Sequence, residues 1–203
     1  MAMTIEEVEA LLTEIGFRFQ RGPRAQVGMR FGMKQYLDRD GDKDLLVLVD
    51  LLENGEYLKV FAPMAFKATG DHADAFLRAC SMVQWRTKLI QFEFDATDGE
   101  IRPIVEFPLE DGKVTRKQLE RCIVGLAGII DEYYPVLVRA LKDGVVEFPP
   151  EGDPRAEMRL ALQRLQASLD PADKERAKLV EALIASFDTR QAPSAGSPAI
   201  TEV

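Results

Sequence analysis

Apolar residues along the chain recur with two different periods. Near the N-terminus, Ile5, Val8, Leu12 and Ile15 form one stripe at helical spacing in "TIEEVEALLTEIG". Thr4 with Glu7 three residues later has the capping-box pattern, and Gly16 is a natural C-terminal stop. The period then becomes two. "AQVGMRFGMKQYL" alternates, and "DLLVLVDLL" is apolar at nearly every residue, which predicts a central strand covered on both faces. "EYLKVFAPM" follows. Between the last two lies "ENGE", a strong hairpin signal, because a type I′ turn needs positive φ at both centres and Asn-Gly tolerates it. A three-stranded meander is therefore predicted at about 26–37, 44–53 and 56–62.

Helical spacing returns in "GDHADAFLRACSMVQWRTK", with Ala73, Phe76, Leu77, Cys80 and Val83 inward and Asp71 with Asp74 placed to cap it. "KLIQFEFD" then alternates, with Ile90, Phe92 and Phe94 on one face. "ATDGE" is a second turn and "IRPIVEFPL" the returning strand. Pro103 lacks a backbone donor, which places that strand at an edge or Pro103 at a non-bonding position. The longest helical pattern, "TRKQLERCIVGLAGIIDEYYPVLVRALKDG", opens with a capping box of Thr115 and Gln118 and ends at Gly144. Its apolar period runs through Leu119, Cys122, Ile123, Leu126, Ile130, Tyr133, Leu137 and Leu141. Pro135 is expected to kink or break it near Asp131, whose carbonyl it opposes. The small residues of "GLAG", 125–128, are expected to allow a close approach of a neighbouring element.

After the linker "VVEFPPEG" come two units that each start with Asp-Pro, an N-cap followed by the first helical position. Met158, Leu162, Leu165 and Leu169 line one; Leu179, Leu183 and Phe187 with Val180 line the other. An antiparallel helical hairpin is predicted. "DTRQAPSAGSPAITEV" has the composition of a disordered tail. The expected fold is α+β, in the order α-β-β-β-α-β-β-α, with an antiparallel five-stranded sheet packed by helices. It occupies residues 1–147, followed by the hairpin at 148–188 and the tail at 189–203.

With 203 residues, 46% of them hydrophobic and 30% charged, the chain can bury a core without disulfides or metals. A net charge of −8 repels phosphate backbones and anionic lipid, so nucleic acid and membrane are not expected partners. Basic or amphipathic peptides suit that charge better. Cys80 and Cys122 are too few and too far apart for a disulfide framework or zinc site, and read as buried thiols. "MAMTIEEVEALL" has neither the basic region nor the apolar run of a signal peptide, and a cytoplasmic location is expected.

Candidate chemistry is sparse. Asp38, Asp40, Asp42 and Asp44 alternate in "YLDRDGDKDLL", but a calcium loop needs Gly at its sixth position and Glu at its twelfth. Counting from Asp38 these are Lys43 and Val49; counting from Asp40 they are Leu45 and Leu51. The run reads as a solvated hairpin tip around Asp40-Gly41. The single histidine, His72, reads as an exposed first-turn residue. Asp131 and Glu132 sit beside tyrosines at the expected kink, and nothing in the sequence brings them to another group. There is no nucleophile elbow, phosphate loop or zinc-protease motif. No catalytic, cofactor or metal residue is assigned, and no enzymatic activity is expected. Phe76, Leu77, Cys80 and Trp85 read either as core or as a partner-facing surface.

The element order, the "LLVLVDLLENGEYLKVFAPM" meander, the "HADAFLRACSMVQW" helix and the "LIQFEFDATDGEIRPIVEFPLED" hairpin entering a long last helix resemble the type III secretion chaperone-like fold, including the YbjN-type bacterial proteins. The resemblance covers residues 4–144. It implies a non-enzymatic, often dimeric domain that binds a polypeptide along its sheet and helix surface. It also implies that the middle helix, here Phe76 to Trp85, contributes to a homodimer. The hairpin at 153–187 is additional to that fold. Two other roles are compatible with the sequence: an assembly subunit docking through that hairpin, and a small-ligand protein or enzyme whose site is built from scattered polar residues.

Overall fold

The period-two segments assemble into one open antiparallel sheet. The computed structural model describes residues 2–148, 158, 159, 161, 162, 165 and 171–190. The chain divides into two compact units, Met1–Glu147 and Phe148–Val203. The first contains, in order, α1 (Ile5–Ile15), β1 (Gln20–Arg21), β2 (Gln26–Gly32), β3 (Asp44–Leu52), β4 (Tyr57–Phe61), β5 (Phe66–Lys67), α2 (Ala73–Arg86), β6 (Gln91–Phe94), β7 (Glu100–Pro108) and α3 (Arg116–Asp143). The fold is α+β as expected. The sheet has seven strands rather than five, because β1 and β5 are two residues each, too short to show a period.

The meander β2-β3-β4 is antiparallel, with Gly28 opposite Leu48 and Val49 opposite Val60. Beyond it, Ile104 of β7 pairs with both Phe61 of β4 and Gln91 of β6. Ile101 pairs with both Phe66 of β5 and Phe94 of β6. β4 and β5 therefore lie end to end along one side of β7, and β6 lies along the other. β7 is an interior strand, so Pro103 is not on an edge strand.

Alternation sorts the strands into two faces. Val27, Met29, Leu45, Val47, Val49, Leu51, Leu58, Val60 and Val105 are buried on one of them. α3 packs against β3, β4 and β7, and α1 against β2. The opposite face of β3 is only half-covered: Leu46, Leu48 and Asp50 are half-buried and Leu52 is exposed. The expectation of full cover on both faces is thus corrected. Both capping boxes form, Thr4 with Glu7 and Thr115 with Gln118, and Gly16 and Gly144 end their helices at φ 93° and 70°.

Two further expectations change. The first meander strand stops at Gly32 instead of 37, and residues 33–43 leave the sheet as a loop. α3 runs unbroken through Pro135 for 28 residues. The carbonyl that Pro135 cannot bond, that of Asp131, accepts instead from Gln35 Nε2 at 3.2 Å. Gly125 and Gly128 do not mediate a close approach, since a Cβ on either would meet nothing within 4 Å.

In the second unit, α4 (Pro171–Arg190) starts at the expected proline and runs two residues past the expected end. Leu179 and Leu183 are 67% and 50% exposed, and the helix they are expected to meet lies mostly outside the described residues. Charged residues surround them on the helix at Lys174, Glu175, Arg176, Lys178 and Glu181. Most of the first expected hairpin helix, and the tail after 190, lie outside the described residues.

The turn between β3 and β4 is longer than a two-residue I′ turn. Glu53, Asn54 and Gly55 all have positive φ, and Leu52 pairs with Tyr57 across it. Met3 crosses this turn, donating its amide to the Gly55 carbonyl at 3.2 Å. A Cβ on Gly55 would lie 2.0 Å from the Met3 carbonyl oxygen. Gly55→Ala is therefore expected to destabilise the fold by more than about 2 kcal/mol in urea unfolding, adding a backbone collision to the left-handed strain. Gly41→Ala is the control. Gly41 has φ 88° but open space around it, so it should lose only the strain.

Candidate functional site

α2 divides the residues singled out from sequence. Phe76 and Cys80 are buried at 0% and 2% exposure, Leu77 is half-buried and Trp85 is 84% exposed. Phe76 and Cys80 are therefore core: α2 packs against α3 and β6, and the Phe76 ring lies 5.3 Å from that of Phe66. The only member on the surface is Trp85. Three further exposed apolar residues that sequence reading missed lie on these elements, Met82 one turn before Trp85 on α2, Leu89 in the segment after α2, and Phe94 on β6. Met82, three residues before Trp85 on the same helix, was the available signal.

α2 packs against β6, the strand that carries Phe94. Among the described residues β6 pairs only with β7. The phase of its hydrogen bonds follows from Pro103, whose carbonyl accepts from Ala62 on the β4 side at 3.0 Å. Backbone N–H and C=O of one residue point the same way across an antiparallel ladder, so Pro103 and its partner Phe92 form a non-bonded pair. Pro103 is non-bonding toward β6 alone; on the β4 side its carbonyl bonds Ala62 and the donor it lacks is missing from that pair, so the expected non-bonding placement is met on one side only. Gln91 and Glu93 consequently bond to β7, and Asp95 continues the pattern by donating to the Glu100 carbonyl at 2.9 Å. Phe92 and Phe94 turn their backbone groups to the open edge.

Charge is gathered on the sheet face opposite α1 and α3. Lys59 Nζ lies 2.9 Å from Glu93 and 3.8 Å from Glu106; Arg102 lies 3.5 Å from Glu93 and 2.8 Å from Glu100. Both cations sit over the Phe61 ring, at 5.5 and 5.7 Å from its centroid. Glu100 also accepts the Met64 amide at 2.7 Å, and the Arg102 guanidinium holds its carboxyl below the usual carboxylate range. Each group here is partnered by another, so the cluster reads as an internal network.

Asp131 has a defined structural task. Its Oδ1 accepts the amides of Lys34, Gln35 and Tyr36 at 3.1, 2.7 and 2.8 Å. Tyr36, 2% exposed, donates its phenol to the Ala65 carbonyl at 3.0 Å and lies edge-on to Phe66 and Tyr134. Burial pushes its pKa up to about 12. Glu132 is half-buried on the next position of α3.

The aspartate run is a tight turn within the 33–43 loop, with the Asp38 carboxylate accepting the amides of Asp40 and Asp42 at 3.0 and 2.8 Å. His72 is half-buried rather than exposed, since a Cβ on Gly144 would lie 2.7 Å from its Nδ1. His72 is also the N-cap of α2, with no side-chain cap, so the expected capping by Asp71 and Asp74 does not occur. Both thiols are buried, and burial pushes both pKa values up. Among the described residues no group of three or more His, Cys, Asp or Glu is placed to hold a metal ion, and no helix is long and apolar enough to cross a membrane.

Compared with known proteins, the chain matches no protein-family model and no curated protein sequence.

Asp131→Ala leaves three loop amides without their acceptor and is expected to cost about 2–3 kcal/mol in chemical unfolding, with Asp131→Asn intermediate. A pH series tests Tyr36. The unfolded phenol ionises near its ordinary value of 10, while the folded one keeps its proton to about 12. The folded state therefore binds more protons in that window, and stability falls as pH rises through it. Tyr36→Phe should flatten this fall.

Proposed function

We propose that this chain is a non-enzymatic, chaperone-like module of the YbjN or type III secretion chaperone-like kind, which binds a polypeptide partner along the β6 edge. The observation that carries this reading is the open edge itself. Phe92 and Phe94 offer backbone groups there, and α2, which packs against β6, carries the exposed Trp85 and Met82. An added strand would extend the sheet by main-chain hydrogen bonds, with apolar side chains settling against that border. Such capture requires no convergent acid, base or nucleophile.

The homodimer implied by the family resemblance belongs to the same proposal in a changed form. Phe76 and Cys80 are committed to the core. A second copy would therefore meet Trp85 and the exposed side of α2.

The test is photo-crosslinking from position 85 in the full chain, with a photoreactive phenylalanine analogue replacing Trp85 and irradiation in extract of the source cells. A covalent adduct to one extended segment of another polypeptide is expected, and Phe94→Pro should abolish it. That substitution removes an outward-facing edge donor and leaves the β6–β7 ladder bonds in place. Adducts that survive Phe94→Pro, or an absence of adducts, would count against edge capture.

A further inference from the structure

A second surface lies at the far end of the sheet. Among the described residues a groove of about 480 Å³ is lined by Arg18, Arg21, Arg30, Gly28, Leu46 and Leu48, together with Phe19, Gln20, Gly22, Gln26 and Met29. Its floor depends on Gly28, because a Cβ there would come 2.9 Å from Leu48 Cδ2. Leu46 and Leu48 lie on the half-covered face of β3, and Gly28 and Arg30 share that face through their pairing with Leu48 and Leu46.

The lining holds three guanidinium groups and no carboxylate, in a chain whose net charge is −8. Arg21 is held at its outer side by Glu6 and Glu9 of α1, and Arg30 by Asp44. These exposed pairs orient the two side chains while using only part of their five-donor forks. Arg18 is exposed and has no ion-pair partner among the described residues.

The backbone beside the groove is also open. β1 pairs only with Val27 and Gly28, so the outer edge of β2 beyond Gly28 has no strand on it among the described residues. The phase of the ladder is given by the bonds Leu51 N to Ala25 O and Met33 N to Lys43 O. Arg30 lies out of phase with both and therefore turns its N–H and C=O outward.

We infer that this groove binds an extended acidic–apolar peptide segment of a partner, with its carboxylates on Arg18 and Arg30 and its apolar side chains over Gly28, Leu46 and Leu48. An edge with outward backbone groups favours a peptide over a small carboxylate, and Arg18, the one lining guanidinium with no ion pair among the described residues, selects its charge. This site is independent of the β6 edge.

The probe is a blocked seven-residue peptide alternating Glu with Leu and Val, titrated into the full chain by calorimetry, with Lys-for-Glu and Gln-for-Glu versions as controls. The Glu peptide alone is expected to bind, and to bind more weakly as salt rises. Arg18→Glu should weaken it by about tenfold, because the reversed charge faces the incoming carboxylate. Arg18 is exposed and has no ion-pair partner among the described residues, so its replacement should leave the fold intact, which an unchanged melting temperature verifies. Phe94→Pro should leave this binding unchanged even if it abolishes capture at β6. Equal binding of the three peptides, insensitivity to Arg18→Glu, loss of binding in Phe94→Pro, or displacement by millimolar succinate would each overturn the inference.

Discussion

The architecture depends on how one long helix carries a proline past the sheet. Pro135 strips α3 of the hydrogen bond that the Asp131 carbonyl would otherwise accept, a defect that commonly kinks or ends a helix. Here the defect is filled from outside. Gln35 donates its side-chain amide to that carbonyl, and the Asp131 carboxylate accepts three successive amides from residues 34–36. A loop that would be costly to order alone is fixed by one carboxylate, and that carboxylate is held by the helix the loop repairs.

The clamp reaches further than the helix. Tyr36 is carried by the loop into the core, where it bonds Ala65 and meets Phe66 and Tyr134; Phe66 then packs on Phe76 of α2. α3, the β2–β3 loop, the β4–β5 connection and α2 thus share one cluster. Glu100 does a similar job nearby by accepting the Met64 amide in the β4–β5 connection. Both irregular segments of the sheet are tied down by a carboxylate on a regular element, which satisfies backbone groups that cannot bond within a strand.

Local chemistry made much of this fold legible. Capping boxes, terminal glycines and the second and third strands of the meander are read within a few residues of themselves, and those elements appear where the patterns placed them. The misreadings share a physical cause. The first strand ends early and α3 continues because residues 34–36 and Asp131 meet across 95 to 97 positions of sequence. No local period records such a contact. β1 and β5 are two residues long and leave no period at all. On α2 the helical stripe identified Phe76 and Cys80 as one face, but membership of a stripe did not separate core from surface, and Trp85 lies two residues past its last member, Val83.

The two sheet edges also show why total charge is a poor guide to a surface. A net charge of −8 points to basic partners, yet the groove by β2 is lined by guanidinium groups alone among charged side chains. At the other edge the one acid on β6, Glu93, stands where a charge ordinarily keeps an open strand from pairing. Lys59 and Arg102 draw its carboxylate onto the sheet face. The acid is neutralised from within, so it no longer guards the edge, and what β6 presents outward is the backbone of Phe92 and Phe94. An edge disarmed in this way is costly to leave exposed in an acidic chain that could have kept the charge there. That open backbone is the feature on which the proposed edge capture rests, and it is also the place where an unwanted strand could add.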